Sequence, residues 1–411
     1  MNEISASEME RQLRILMNIA ADQPPRRVSV EAVRARVTRR RTAQFLAAAA
    51  AVVLVGGVGV ALAAQVTGRG PATGPVQAGP PPFYLQQSIA AAAASSGVVR
   101  SSATGEVTAT FGCPWRGARV AISAIAPADN RTFFLVCQKA AAQGTTTVIT
   151  GSRIYRLNLT RSGRAASYAL VNGGDLPGFS VSGIAATPDG SELAVSGSTA
   201  VAATSPVEVI VINTKSGAHA LWTGFAKVPG KVWYSVRGDI SLTANGRELA
   251  FLVEPRCVKA TAAPQCHVSG GEEVRAVSPA DRGGQLSSSR LLMKQAWIMQ
   301  LSVGYINHAV ISPDGSKLTL AVVSGPARSQ AQSSVSVQQV PTATGRHPRI
   351  LYRMFTGNGF TYQFFSSDPS GRYLILDAGP ARGALANGWI DQGRLVPLAP
   401  ANGASVLYET W

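Results

Sequence analysis

The sequence predicts an all-β protein built around a β-propeller, a ring of four-stranded sheets, with one transmembrane helix before it. Two observations predict this arrangement. A hairpin motif occurs five times at intervals of 56 to 69 residues, and a run of twenty residues near the N-terminus carries no charge. With 411 residues, 46% of them apolar, the chain can form a large core, which excludes a disordered polymer.

The recurring motif is a tight turn followed by a half-buried strand, as in AATPDGSELAV and ISPDGSKLTL. Its turn positions are Asp129, Asp189, Asn245, Asp314 and Ser370, followed in the last four copies by Gly190, Gly246, Gly315 and Gly371. Asp-Gly and Asn-Gly accept left-handed dihedrals, which predicts two-residue hairpin turns. Apolar residues stand four and six positions after the turn, and they share one face of a strand because side chains alternate.

A second hairpin follows each motif, with turns at Ser162-Gly163, Ser216-Gly217, Thr344-Gly345 and Gln392-Gly393. Two hairpins per unit make a four-stranded sheet that must stack on its neighbours to bury its apolar face. A sandwich would not give this register of repeats, and a solenoid has shorter periods.

An incomplete first unit, with a hairpin turn at Thr104-Gly105, would be completed by the last strand of the chain, SVLYETW. Pairing the two ends in one sheet closes the ring and removes open edges. Five full units and this one predict six blades, with seven left open. The third unit carries an insertion, residues 255–305, whose strands stay unassigned.

The N-terminal region predicts a membrane anchor. Residues 45–64 match the ~20 apolar residues that a helix needs to cross a bilayer. Three arginines just before this run predict that the N-terminus is cytoplasmic. The predicted organisation is a short helical, Arg-rich cytoplasmic arm (1–43), a transmembrane helix (44–65), a Pro/Gly tether (66–82) and an extracytoplasmic propeller (83–411). A cleaved signal peptide is the main alternative.

The cytoplasmic arm contains a possible docking helix for a cytoplasmic protein. Ser7 and Glu10 form a capping box, and Met9, Leu13 and Leu16 follow at helical spacing. A short isolated helix offers this apolar stripe nothing to pack against, which makes these residues docking candidates. The alternative is a solvated tail that sets orientation and contacts anionic lipid headgroups.

The four cysteines, Cys113, Cys137, Cys257 and Cys266, are disulfide candidates because all lie on the predicted extracytoplasmic side. Proximity favours Cys113–Cys137 and Cys257–Cys266 among the three possible pairings, with free buried thiols as the alternative. Cys257, Cys266 and His267 lack the spacing of a zinc site. No metal or cofactor is predicted.

The sequence shows no catalytic motif. It lacks the G-x-S-x-G and G-x-x-x-x-G-K-[ST] patterns of serine hydrolases and phosphate-binding loops. The turn aspartates lie in loops too short for a calcium site. The net charge is +16, of which the exported part carries +12; this favours wall polymers or lipid headgroups as partners, or simply a soluble surface. Nucleic acid is not an expected partner.

The S-P-D-G-x-x-L element with T-x-S-G hairpins resembles TolB-type and WD-repeat-like propellers. The layout from arm to propeller is similar to actinobacterial single-pass proteins of that kind. The resemblance implies the propeller fold for residues 83–411, and it implies a sigma factor or similar regulator as a partner of the arm. The G-H and W-D dipeptides of eukaryotic WD repeats are absent, so their scaffold roles do not carry over.

The expected function is therefore a membrane-anchored, extracytoplasmic, non-catalytic module that binds a protein, a peptide or a cell-wall component. One alternative is a transmembrane sensor whose arm docks a regulator. A second is a propeller hydrolase with a site at the central channel.

Overall fold

The computed structural model describes residues 80–88, 96–122, 130–143, 146–199, 207–224, 232–257, 271–295, 304–324, 333–357, 361–368, 373–379, 386–391, 393–398 and 407–410. These residues form strands and two one-turn 3-10 helices, Pro279–Asp281 and Leu286–Ser288. None of the helices in this part of the chain is long and apolar enough to span a membrane. The predicted arm and the predicted transmembrane helix lie outside the described residues.

The first eleven strands belong to the first three blades. They are β1 (Phe83–Ser88), β2 (Ser96–Ser101), β3 (Val107–Gly112), β4 (Arg119–Ile122), β5 (Thr132–Gln143), β6 (Thr146–Leu159), β7 (Ala165–Pro177), β8 (Phe179–Ala186), β9 (Glu192–Thr199), β10 (Val207–Asn213) and β11 (His219–Thr223).

The later strands form the other three blades and close the first. They are β12 (Val232–Leu242), β13 (Leu249–Cys257), β14 (Glu273–Val277), β15 (Gly283–Gln285), β16 (Arg290–Lys294), β17 (Gly304–Ile311), β18 (Lys317–Ser324), β19 (Ser333–Pro341), β20 (Arg349–Gly357), β21 (Thr361–Ser367), β22 (Leu374–Gly379), β23 (Ala386–Asp391), β24 (Arg394–Pro397) and β25 (Leu407–Thr410).

The strands make six sheets, which confirms an all-β, six-bladed propeller. In ring order the sheets are β25-β1-β2-β3, β4-β5-β6-β7, β8-β9-β10-β11, β12-β13-β14-β16, β17-β18-β19-β20 and β21-β22-β23-β24. The first strands of neighbouring sheets touch, for example β8 with β12 and β12 with β17, so these strands surround the axis of the ring.

The last strand closes the ring as the repeat pattern predicts. β25 pairs antiparallel with β1, with Leu85 opposite Thr410 and Ser88 opposite Leu407. The first blade therefore takes its innermost strand from the C-terminal end. This pairing gives both strands partners along an edge that would otherwise be open.

The propeller has two different ends. At one end, which we name the turn end, lie the connections from the first strand to the second and from the third to the fourth in blades 2 to 6; in blade 3 these are residues 187–191 and 214–218. At the other, which we name the loop end, lie the connections from the second strand to the third and from each blade to the next, among them residues 200–206 and 258–272.

The core lies between the blades, and the apolar residues after each turn occupy it. The ten side chains at positions four and six are at most 3% exposed: Phe133, Leu135, Leu193, Val195, Leu249, Phe251, Leu318, Leu320, Leu374 and Leu376. Burying each such side chain stabilises the fold by about 1.5–3 kcal/mol. The stacking of hairpins inferred from the sequence is therefore what holds adjacent sheets together.

The turns were predicted to contain two residues, and in the structure they contain four. In the blade-3 turn, Thr187 N donates to Glu192 O (3.0 Å) and Gly190 N to Thr187 O (2.8 Å), so four residues separate the closing pair. Only Gly190 has a positive φ, 65°, and Asp189 does not. The reason is that Gly190 stands at the fourth position of a type I turn, where glycine is favoured; Pro188 suits the second position, and the blade-4 turn forms the same bonds with Ala244 there.

The insertion in the third unit, left unassigned from the sequence, contains β14, β15 and β16. β15 leaves its own blade and adds to the outer edge of blade 3, where Leu221 to Thr223 pair in parallel with Gly283 to Gln285. β15 therefore pairs with β11, which would otherwise be the open outer edge of blade 3.

Candidate functional site

Irregular backbone recurs in the inner strands of blades 2 to 6. The pairing of the first strand with the second shifts between Val120 and Ile122, Val181 and Gly183, Val236 and Ile240, Ile306 and His308, and Thr361 and Phe364. Such bulges disrupt the ladder locally and re-aim side chains, and they are frequent beside active sites. The ring is thus irregular where it faces its own axis.

A cavity of about 330 Å³ opens beside two of these bulges, between blades 3 and 4 and toward the loop end. Its lining consists of small and polar residues with one cation: Ser180, Ser182, Gly197, Ser198, Val207, Val236 and Arg237. Ser182 lies in the bulge of β8 and Arg237 in the bulge of β12. The two bulges therefore supply the exposed hydroxyl and the charge of the cavity.

Arg237 is held by contacts on both sides of its strand. Its Nη1 donates to the carbonyl oxygen of Ile306 on β17 at 3.2 Å, and its Nε lies 3.8 Å from Glu254 Oε2 on β13. The side chains of Arg237 and Glu254 are each 30% exposed. A guanidinium has five N–H donors, so these contacts leave it capacity for a ligand.

Glu272 is a buried carboxyl next to this arginine. Burial raises the pKa of Glu272, and the charge of Glu254 raises it further. Two contacts lower it: the hydrogen bond that Ile306 N donates to Glu272 Oε2 (3.3 Å) and the charge of Arg237. Burial also raises the pKa of Tyr305 nearby. Arg237, Glu254, Glu272 and Tyr305 therefore form a cluster in which an acid can hold its proton unusually well.

This arrangement suits a polar ligand. The serine hydroxyls can donate or accept hydrogen bonds, and Arg237 can pair with a carboxylate or a similar anionic group. Within the described residues, no three His, Cys, Asp or Glu side chains converge as a metal site would require. The cavity therefore presents binding chemistry, and Glu272 lies next to Arg237 but is not among the residues that line the cavity.

The predicted turn residues lie at the opposite end and hold their own backbone. Asp314 Oδ1 accepts hydrogen bonds from Ser312 Oγ (2.5 Å) and Ser316 N (3.0 Å), and Oδ2 accepts one from Ser316 Oγ (2.7 Å). These bonds lower the pKa of Asp314 to about 2. Asp189 and Asn245 accept equivalent bonds in the blade-3 and blade-4 turns. Asp129, Ser370 and Gly371 lie outside the described residues.

Cys113 and Cys137 form a disulfide with an S–S distance of 2.08 Å. The bond lies at the loop end and ties the connection between β3 and β4 to β5. Cys257 is the last residue of β13, and Cys266 lies outside the described residues, so their pairing stays a prediction. The docking candidates Met9, Leu13 and Leu16 also lie outside them.

Arg237, Glu272, Tyr305 and Ser182 were not candidates in the sequence analysis. They come from blades 3, 4 and 5, and none of them stands in a recurring motif. The repeat alignment places the inner strands just before each turn, and polar or charged residues within those strands are the signal that could have drawn attention to Ser182 and Arg237.

No protein-family model matches the chain, and no curated protein matches it. The fold is similar to three solved structures. Hydrazine synthase from Kuenenia stuttgartiensis is 16% identical over 69% of this chain and 67% of that one, with a TM-score of 0.39. An oligogalacturonate lyase in complex with manganese is 11% identical over 73% and 72%, with a TM-score of 0.41. The β-propeller domain of the trilobed protease from Pyrococcus furiosus is 12% identical over 69% and 70%, with a TM-score of 0.37. These likenesses concern the fold only.

Proposed function

We propose that this protein is a membrane-anchored, extracytoplasmic propeller that binds a protein, a peptide or a cell-wall component without catalysis. The observation that carries the proposal is the cavity between blades 3 and 4, with Arg237 as its cation and serines along its wall. The apolar run of residues 45–64 supports the anchor.

The position of the cavity supports binding of an extended ligand. It opens toward the loop end, where the chain carries its longest connections, including residues 258–270 between β13 and β14. Connections of this kind commonly carry recognition because a rigid scaffold positions them. Arg237 would orient the ligand by pairing with an anionic group, and the adjacent loops would contact its remaining length.

The test is co-purification from native membranes with the full chain and two matched variants. Ser182→Trp places a bulky ring in the cavity, whereas Ser216→Trp adds the same ring to an exposed turn-end position. We expect the first variant to lose an envelope component that the second retains, with both variants folded by circular dichroism. Equal retention by all three proteins contradicts binding at this cavity.

The membrane anchor has its own test. Carbonate washing of native membranes should leave the full chain in the pellet if residues 45–64 span the bilayer, because only integral proteins resist this treatment. Release into the supernatant would contradict the anchor and leave binding at the cavity as a separate question.

A hydrolase remains the second candidate, and Glu272 is the observation that favours it. A buried carboxyl with a raised pKa beside an arginine and a tyrosine is typical of a proton donor in catalysis. Turnover of a peptide or glycoside library by the full chain, lost in Glu272→Gln, would establish this alternative. Binding without turnover is what the proposed function requires.

The sensor alternative depends on the cytoplasmic arm. Leu13→Asp with Leu16→Asp should abolish a cytoplasmic contact and leave membrane insertion intact if the arm docks a regulator. Unchanged partners would make the arm a tail that only sets orientation.

A further inference from the structure

The chain enters the propeller at its turn end. Phe83, the first residue of β1, pairs with Ser101, and Ser102 N donates to Pro82 O at 2.9 Å. The ring of Phe83 lies so close to the turn of blade 2 that a Cβ at Gly163 would stand 2.4 Å from it. The predicted tether, residues 66–82, therefore ends on this face of the ring, and the predicted membrane span lies upstream of it.

The same face carries many exposed cations. Eleven Lys or Arg residues in or beside the turn-end connections are exposed: Arg131, Arg161, Arg164, Lys215, Arg247, Arg282, Arg290, Lys317, Arg346, Arg349 and Arg394. They come from blades 2 to 6, so they are spread around the ring and not gathered on one sheet.

Fewer carboxylates are exposed on this face. The exposed ones within the described residues are Glu106, Asp189, Asp281 and Asp314. Asp189 and Asp314 accept hydrogen bonds within their own turns, which orients both carboxylates toward their own backbone. The half-buried Glu248 forms an ion pair with Arg290. The balance of exposed charge at the turn end is therefore positive.

We propose that the turn end docks on the anionic phospholipid headgroups of the membrane that holds the chain. This inference rests on the proposed anchor. The seventeen tether residues span at most about 55–60 Å when extended, so the ring can reach the bilayer or stand well away from it. Each cation near an anionic surface adds to the attraction, and several act together, so contact of the ring with the bilayer is favoured over separation from it.

Docking has a consequence for the cavity. The loop end lies on the opposite side of the ring from the docked face, so it points away from the bilayer. A ligand that belongs to the cell wall or to another envelope protein would therefore meet the cavity directly.

The experiment is hydrogen–deuterium exchange on the full chain in lipid nanodiscs. One set of discs contains only phosphatidylcholine, and the other adds about 30 mol % phosphatidylglycerol. We expect exchange in turn-end peptides 159–165, 213–218 and 243–248 to slow at least fivefold in the anionic discs. About 1 M salt should remove this difference because it shortens the Debye length to about 3 Å. Peptides 112–119 and 175–181 at the loop end should exchange equally in both discs.

Two variants with the same change in charge provide the control. Arg161→Glu with Arg247→Glu should abolish the protection in anionic discs. Arg116→Glu with Arg119→Glu, both exposed and at the loop end, should leave it intact. Equal exchange in the two lipids, or equal loss in both variants, overturns docking. Protection of the same peptides by a soluble anionic wall polymer, without protection in anionic discs, also overturns it and assigns the face to the polymer.

Failure of the anchor is distinguishable from failure of docking. If the full chain does not remain in the discs, flotation with preformed phosphatidylglycerol vesicles tests the turn end directly. Flotation of the wild type and of the Arg116/Arg119 variant, but not of the Arg161/Arg247 variant, supports the docking face without the anchor. No flotation of any of the three overturns it.

Discussion

The turn end and the loop end of this propeller are built by different means. In blades 3, 4 and 5 the turns between the first two strands repeat the same side-chain hydrogen bonds, as in Thr187 with Asp189, Thr243 with Asn245 and Ser312 with Asp314. The loop end has unlike parts: a disulfide, a cavity and a buried acid beside an arginine. A repeated sequence motif therefore gives repeated contacts at the turn end, whereas each of these loop-end features is formed by residues of particular blades.

The disulfide gives the largest expected effect. Cys113→Ala with Cys137→Ala should lower the free energy of unfolding by about 3 kcal/mol, because the bond closes a loop with a sequence separation of 24. Urea unfolding of the full chain measures this loss. Reductant should lower the midpoint of the wild type by more than that of the variant, in which only the predicted Cys257–Cys266 bond is left to reduce. An unchanged unfolding midpoint would mean that the loop end does not depend on this bond.

Two glycines with similar φ values allow the packing at the two ends to be compared directly. Gly163 at the turn end has φ +78°, and a Cβ there would meet Phe83 and Thr108; Gly117 at the loop end has φ +76° with open space around it. Gly117→Ala should cost about 1 kcal/mol from backbone strain alone. Gly163→Ala should cost about 2–3 kcal/mol because overpacking is added. Equal thermal shifts would contradict close packing of blades 1 and 2 at the turn end.

The buried acid at the loop end should make stability fall as pH rises. Burial raises the folded pKa of Glu272, so the folded state binds the proton more tightly than the unfolded state. The stability that this proton contributes is therefore present below the pKa of the unfolded chain, about 4.3, and is lost as pH rises through the raised folded pKa. Glu272→Gln should lose less stability than the wild type as pH rises from about 4.5 to about 8, which urea unfolding at both pH values measures. Parallel pH profiles would contradict the raised pKa.

The turn aspartate should show the opposite dependence with the smallest effect. The pKa of Asp314 is lowered from 3.8 to about 2, so the stability it contributes is present above pH 4 and lost as pH falls toward 2. Asp314→Asn should cost only a few tenths of a kcal/mol at neutral pH because the site is largely exposed. Asn245 already fills the equivalent position without a charge. The variant should also lose less stability on acidification, and a loss equal to that of the wild type would contradict this assignment.

The repeat made the fold predictable from the sequence. Leu249 and Phe251, or Leu318 and Leu320, follow a turn glycine at fixed spacing, and that local pattern determines both the strand and its buried face. The motif also occurs often enough to count blades. Turn geometry was less predictable because an Asp-Gly or Asn-Gly pair also fits a type I turn with its glycine at the fourth position, as in the turns of blades 3 and 4.

The candidate site was not predictable in the same way. Arg237 reaches the cavity through a bulge in β12, and Arg237 and Glu272 come together because both form a hydrogen bond with Ile306 of the neighbouring blade 5. Both facts depend on contacts between residues distant in sequence, which no local pattern encodes. The Cys113–Cys137 bond was partly predictable. The closeness of the two cysteines in the sequence suggested the pair, and the fold brings their sulfurs together.

The pairing of β1 with β25 determines when the ring can be completed. Residues 407–410 come after all the other described strands and pair with β1, the first of them. A chain stopped shortly before them would have folded blades but an exposed edge on β1, which a neighbouring copy could pair with. The six blades therefore become one closed ring only when the four residues of β25 have paired with β1.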